Sequence, residues 1–108
     1  NIPIACGSDT PVDFFNVMNG IYEAVTRKDL AGNPKGGWLI DQALTVEEAL
    51  NGYTMGGAYT SFEEDIKGSI EEGKLADMVI LSDDIFDIPA EKIKDVQVET
   101  TIFNGRVL

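Results

Sequence analysis

Carboxylates are the groups in this 108-residue chain that could do chemistry. Asp9 follows Gly7-Ser8 directly at the end of an apolar run, Ile2 to Cys6, in the stretch ACGSDTPVD. A carboxylate placed there can be a general base or a metal ligand, and it can equally be a turn residue or a helix cap. Asp9 and Asp13 form a D-x-x-x-D spacing, as do Asp83 and Asp87, and neither is the spacing of a calcium loop. The second pair reads as solvated loop acids. The chain has one cysteine and no histidine. Hydrolytic zinc sites and Ser or Cys nucleophile systems mostly use histidine, so a metal site made from these residues alone would be built of carboxylates. Cys6 has no histidine to activate it and reads as a small buried residue. Trp38, in the loop Gly36-Gly37-Trp38, is either packed on helices or a wall beside a substrate.

The charge balance narrows the partners. Nineteen acidic residues against eight basic ones give a net charge of −11. The few cations are scattered, which argues against nucleic acid, where binding rests on clustered cations. The same balance argues against an anionic membrane surface, and no apolar run approaches the ~20 residues of a membrane span. A single cysteine excludes an internal disulfide and fits a reducing, cytoplasmic setting. The chain opens on Asn1-Ile2-Pro3-Ile4 rather than on Met, which reads as part of a longer protein.

The elements that must position Asp9 follow from periodicity. Ile2 to Cys6 reads as a short buried strand ended by Gly7. Phe14, Val17, Met18, Ile21, Tyr22 and Val25 share one helical face, with Asn16 as N-cap. Gly20 in that helix implies close packing, since glycine weakens a helix by about 1 kcal/mol relative to alanine. Residues 29 to 38 form a glycine-rich loop. Thr45 opens a second helix, Glu48 completes a capping box, and Val46, Ala49, Leu50 and Tyr53 form its apolar face, the helix fading near Phe62. Small residues at 56 to 58 imply that another element lies against that backbone. Beyond Lys67 the pattern turns to β: a strand start at Gly68-Ser69-Ile70, a turn at Glu71-Glu72-Gly73, and Met78 to Leu81 as a strand buried on both faces. After an acidic loop from Asp83 to Ala90, alternation from Val96 to Thr101 gives another strand. Asn104-Gly105 is a hairpin signal that returns residues 106 to 108 against 101 to 103. The expected fold class is α+β.

Two stretches, KGSIEEGKLADMVILSDD at 67 to 84 and FNGRVL at 103 to 108, together resemble the C-terminal end of metal-dependent amidohydrolases. GSDTPVD, IYEAVTR, GGW and TVEEALNGYTMGGAYTSFEED are similar to the YtcJ-like branch, amidohydrolase family 3, and the resemblance covers nearly all of the chain. It implies a fold in which residues 1 to 66 supply the eighth strand and closing helices of a (β/α)8 metallo-hydrolase barrel, and 67 to 108 supply C-terminal strands of a small β-sandwich, or composite, domain. It implies that Asp9 is both the zinc-binding carboxylate after strand eight and the general base on metal-bound water. The family's other ligands (a His-x-His pair, a bridging carboxylated Lys or equivalent, and two later His) are absent. The resemblance therefore implies a C-terminal portion of an enzyme that hydrolyses amide or N-acyl C–N bonds with zinc or a similar divalent metal. The portion alone is expected to be inactive and without cofactor. The whole enzyme's partner would be a small-molecule substrate, and the isolated chain would self-associate or pair Ile2 to Cys6 with its own β part. Two other readings are an acidic interaction or scaffold module without chemistry, and a carboxylate-only calcium binder.

Overall fold

The computed structural model describes residues 2–108. Helix α1, Val17–Thr26, begins where Asn16 leaves the helical region and its Oδ1 accepts the Met18 N–H at 3.0 Å. It ends at Arg27, whose left-handed backbone (φ 56°) lets its N–H reach the Glu23 carbonyl. Met18, Ile21 and Tyr22 are buried on one face, as their spacing predicts, while Phe14 lies ahead of the helix and is exposed. A 3₁₀ turn, Ile40–Gln42, leads to α2, Val46–Tyr53. The capping box that opens α2 is complete: the Glu48 N–H donates to Thr45 Oγ1 at 3.1 Å, and the Thr45 N–H donates to Glu48 Oε2 at 2.8 Å.

The second helix does not run unbroken to Phe62. It stops at Thr54 and resumes as α3, Met55–Thr60. Thr54 sits at φ −115° and ψ −88°, outside the helical region, and its hydroxyl donates back to the Leu50 carbonyl at 2.9 Å. Such back-bonding offers the backbone an alternative to the helical ladder.

Three antiparallel strands follow in the order β1, Met78–Leu81; β2, Val98–Phe103; β3, Arg106–Val107. Met78 pairs with Ile102 and Ile80 with Thr100, then a bulge shifts Leu81 onto Val98. Asn104 and Gly105 take the positive φ values, 49° and 76°, that a primed hairpin turn requires. Phe103 pairs with Arg106, and the Leu108 N–H donates to the Thr101 carbonyl. Asp77 Oδ1 accepts the Asn104 N–H at 2.7 Å and so ties the turn to the entry of β1. Lys74 is structural too: its Nζ donates to the Glu64 carbonyl and to Ser69 Oγ, and it pairs with Glu71.

The β part departs from expectation at three places. Gly68-Ser69-Ile70 forms no strand; it is a bend with Ile70 exposed. Val96 lies ahead of β2 and is buried, because residues 90 to 95 form a second 3₁₀ helix, Ala90–Asp95, that carries it into the core. Met78 to Leu81 is a strand, but it is not buried on both faces: Val79 and Ile80 are 51% and 50% exposed. An apolar run reports a preference for burial, and among the described residues only one sheet is present, so no second sheet packs on it.

The core lies among the helices and the segment before β2. Met18, Ile21 and Tyr22 of α1, Ala49 of α2, and Ile85, Ile93 and Val96 form one buried cluster. Polar contacts hold the second 3₁₀ helix on α1: Lys94 Nζ donates to the Leu30 carbonyl at 2.6 Å and lies 5.0 Å from the centre of the Tyr22 ring. Lys28 and Glu91 pair at 2.5 Å close by, an exposed contact of small net value. Among the described residues no helix is long and apolar enough to cross a membrane.

Candidate functional site

Ile2 to Cys6, expected as a buried strand, forms no strand, and Ile2 and Ile4 are exposed. Nor does it pair with the chain's own sheet. It lies on the helices instead, with the Cys6 N–H donating to the Gly52 carbonyl at 2.9 Å. Strand character needs a neighbouring strand, and here the neighbour is helical backbone. Close approach was expected at residues 56 to 58, and it occurs at Gly56, where a Cβ would collide with the Ile4 carbonyl; around Gly57 there is open space. Gly20 also serves packing, since the Tyr53 hydroxyl occupies the place its Cβ would take.

Asp9 stands at the start of a tight turn. Its backbone is left-handed (φ 51°), a conformation that Asp tolerates better than most residues, and its carbonyl accepts the Val12 N–H at 2.8 Å. The loop is braced internally. Ser8 Oγ and Thr10 Oγ1 share a hydrogen bond at 2.7 Å, Thr10 Oγ1 donates to the Asp13 carbonyl, and the Phe14 N–H donates to Asp13 Oδ1 at 2.7 Å. Both carboxylates are exposed. Asp9 is thus a turn residue by its backbone, which leaves its side chain open to solvent.

Beside this turn is a cavity of about 380 Å³, which Asp9 itself does not line. Gly7 and Ser8 line it from the Asp9 loop, Asp13 and Phe14 from the approach to α1, and Glu23 and Tyr53 from the two helices. Burial, and after it the like charges of Asp13 and Asp29, hold the Glu23 carboxyl above the usual glutamate value. Burial also raises the Tyr53 hydroxyl, reinforced by Cys6, Glu23 and Asp13. Sequence reasoning missed Glu23 and Tyr53 as a pair. The available signal was Gly20, three residues before Glu23 and so on the same helical face, which makes room for Tyr53.

The raised Glu23 has a measurable consequence. The native state binds this proton more tightly than the unfolded chain does, so its contribution makes stability fall as pH rises from about 4.5 through the folded value. Glu23→Gln removes the penalty. Urea unfolding is expected to show the variant gaining on the parent more at pH 7 than at about pH 4. An equal difference at both would mean that Glu23 titrates as it does in water.

The other candidate residues lie apart from this cavity. Trp38 is 62% exposed and is not packed on the helices. Its N–H donates to the Arg27 carbonyl at 2.8 Å, Arg27 Nε donates back to the Trp38 carbonyl at 2.9 Å, and the guanidinium sits 4.9 Å from the ring centre. It lines neither the cavity beside the Asp9 turn nor the larger, mainly apolar groove of about 850 Å³ between α2, α3 and the sheet. Asp83 and Asp87 are turn acids; Ser82 Oγ bonds to Asp83, and the Asp87 N–H donates to the Asp84 carbonyl. Cys6 is free and half-buried. Among the described residues no three Cys, Asp or Glu side chains come together as a metal site would require. One exposed carboxylate does not by itself fit a zinc ion, which takes three or four protein donors.

A small α+β unit that presents Asp9 and Asp13 on a braced turn, just after a segment seated on a pair of helices, is what the geometry defines. The sequence model of the Amidohydrolase family matches residues 1–108, and the chain belongs to that family, in its YtcJ-like third branch. It is 33% identical over 104 residues to the Putative amidohydrolase YtcJ of Bacillus subtilis (strain 168), covering 96% of this chain and 20% of that protein. It is 32% identical to the N-substituted formamide deformylase of Arthrobacter pascens, covering 96% of this chain and 19% of the enzyme. Protein LONG AFTER FAR-RED 3 of Arabidopsis thaliana is 34% identical over all of this chain, which covers 18% of it. The chain thus spans about a fifth of the length of these relatives. No solved structure matches it.

Proposed function

We propose that this chain is the closing portion of a metal-dependent hydrolase that cleaves C–N bonds outside peptides, with Asp9 as its acid–base carboxylate. Residues 1 to 66 would complete a catalytic (β/α)8 barrel and residues 67 to 108 would belong to a β-sandwich beside it. The carrying observation is Asp9 itself: exposed and fixed on a left-handed turn, with residues on both sides of it, Gly7, Ser8 and Asp13, lining a cavity. In barrels of this kind catalytic groups sit at the C-terminal ends of strands. Family membership supports the reaction class, and the deformylase relative supports an N-substituted amide or formamide as substrate.

Amidohydrolases generally bind divalent metals, and zinc or a similar ion would polarise the substrate or its attacking water, taking its other donors from outside these residues. Asp9 would accept a proton from the attacking water and hand it to the departing nitrogen, which leaves as an amine.

The test is the full-length polypeptide assayed for bound metal and for hydrolysis of N-substituted formamides and simple amides. Bound divalent metal and release of amine, both lost after chelation, are expected. A well-folded polypeptide with no metal and no hydrolysis across the panel would sink the reading.

A further inference from the structure

The hydrogen bonds that shape the Asp9 turn lie within residues 8 to 14. They fix its form but do not tie it to the helices. The tie comes just before the turn, where Ile4 to Cys6 rest on backbone at Gly52 and Gly56. A Cβ on Gly52 would stand 2.6 Å from Cys6 Sγ and 3.5 Å from Cys6 Cβ. A Cβ on Gly56 would overlap the Ile4 carbonyl oxygen and lie 3.2 Å from Ala5 Cα. Neither glycine has positive φ, so neither is needed for its own backbone conformation. Both also weaken the helices they occupy, which alanine would not. What their missing side chains permit is contact between the segment and the helices on both sides of the Thr54 break. Asp9 is three residues beyond Cys6, with at most about 3.6 Å of chain per residue, so a shift at this seat has little slack in which to dissipate.

We propose that Gly52 and Gly56 are positioning residues: by letting Ile4 to Cys6 lie directly on helical backbone, they set the depth at which Asp9 is presented to the substrate. This rests on the role given to Asp9 above, and its test has a readout independent of turnover. In the full-length polypeptide, Gly52→Ala, Gly56→Ala, Cys6→Ala and the combinations of Cys6→Ala with each glycine variant are compared. The rate at which N-ethylmaleimide alkylates Cys6, followed by peptide mass spectrometry, reports the seat. It is expected to rise several-fold in both single glycine variants as the thiol is lifted off the helix. In the same variants kcat is expected to fall by about 10²-fold with KM little changed, the effect of a misplaced catalytic group. Cys6→Ala removes the sulfur that the Gly52→Ala methyl would strike, so that pair should recover to near the Cys6→Ala rate. The Gly56→Ala methyl strikes backbone, so its pair should not recover. Should Gly52→Ala fail to fold, Cys6→Val thickens the same contact from the other side and its kcat is measured in its place, with Gly56→Ala carrying the alkylation readout.

Unchanged alkylation and unchanged kcat in both glycine variants overturn the proposal. Faster alkylation with full activity overturns the positioning role alone. Faster alkylation in a polypeptide whose parent hydrolyses nothing overturns the role of Asp9 and this proposal with it.

Discussion

Replacing Asp9 by Asn in the full-length polypeptide is expected to lower kcat by about 10²–10⁴-fold, the range for loss of a positioned general base. The loss should appear in kcat rather than in KM, because the carboxylate does its work in the transition state. Asn suits the test because it keeps the size of Asp and tolerates the left-handed backbone that Asp9 adopts at φ 51°. The Asp9 carbonyl, which closes the turn on the Val12 N–H, is untouched by the change. The exposed side chain contributes little packing, so the melting curve should match the parent's. Asp13→Asn is the informative neighbour, since its Oδ1 holds the Phe14 N–H and either an amide or a carboxylate oxygen can accept that bond. It should leave most of the rate intact. Full activity in Asp9→Asn, with its fold intact, would return Asp9 to the status of a turn residue.

Tyr22→Ala is expected to be the most damaging single substitution for stability. Tyr22 is 0% exposed, and its ring is the largest fully buried side chain in the cluster that joins α1 to Ile93 and Val96. Truncating a buried aromatic to alanine costs about 3–5 kcal/mol, the sum of lost burial and the cavity left behind. In a domain of this size that lowers the melting midpoint by well over 10 °C, at about 4–8 °C per kcal/mol. Tyr22→Phe separates the ring from its hydroxyl. It loses only the 3.2 Å bond donated to the Asp29 carbonyl, and that carbonyl still accepts the Gly32 N–H at 2.9 Å. A loss of about 1 kcal/mol or less is expected. Lys94 keeps a ring beneath its ammonium in the Phe variant and loses it in the Ala variant. Urea unfolding distinguishes these cases. A Tyr22→Ala penalty within about 1 kcal/mol would mean that the cluster is not the core.

What the sequence made legible was local. The Asn16 cap, the Thr45–Glu48 box and the Asn104-Gly105 turn each rest on a few adjacent residues whose backbone geometry settles the matter, and all three are in place. Gly20 and Gly56 were legible as signs of crowding, because glycine weakens a helix unless something needs its space. Their partners, Tyr53 and Ile4, were not, since nothing local points to them. Ile2 to Cys6 and Met78 to Leu81 show the other limit. Apolarity says that a segment favours burial, but being a strand or having two covered faces depends on neighbours that no local pattern names. The break at Thr54, where the hydroxyl rather than the backbone N–H reaches the Leu50 carbonyl, is one that periodicity does not register. Asp9 was legible as a candidate from its place after Gly7-Ser8, while the cavity beside its turn depends on Glu23 and Tyr53, brought together by tertiary packing.

The way the core is assembled constrains the order of folding. Ile21 and Tyr22 meet Ile93 and Val96 across some seventy residues of chain. A ribosome would release α1, α2 and α3 long before the residues that cover α1 emerge. Helices form in about a microsecond, but closing so long a loop is an entropic search that must precede its reward. While those residues are being made, α1 would therefore carry an uncovered apolar face. The buried cluster, and with it a stable platform for the Asp9 segment, would be completed only when Ile85, Ile93 and Val96 arrive.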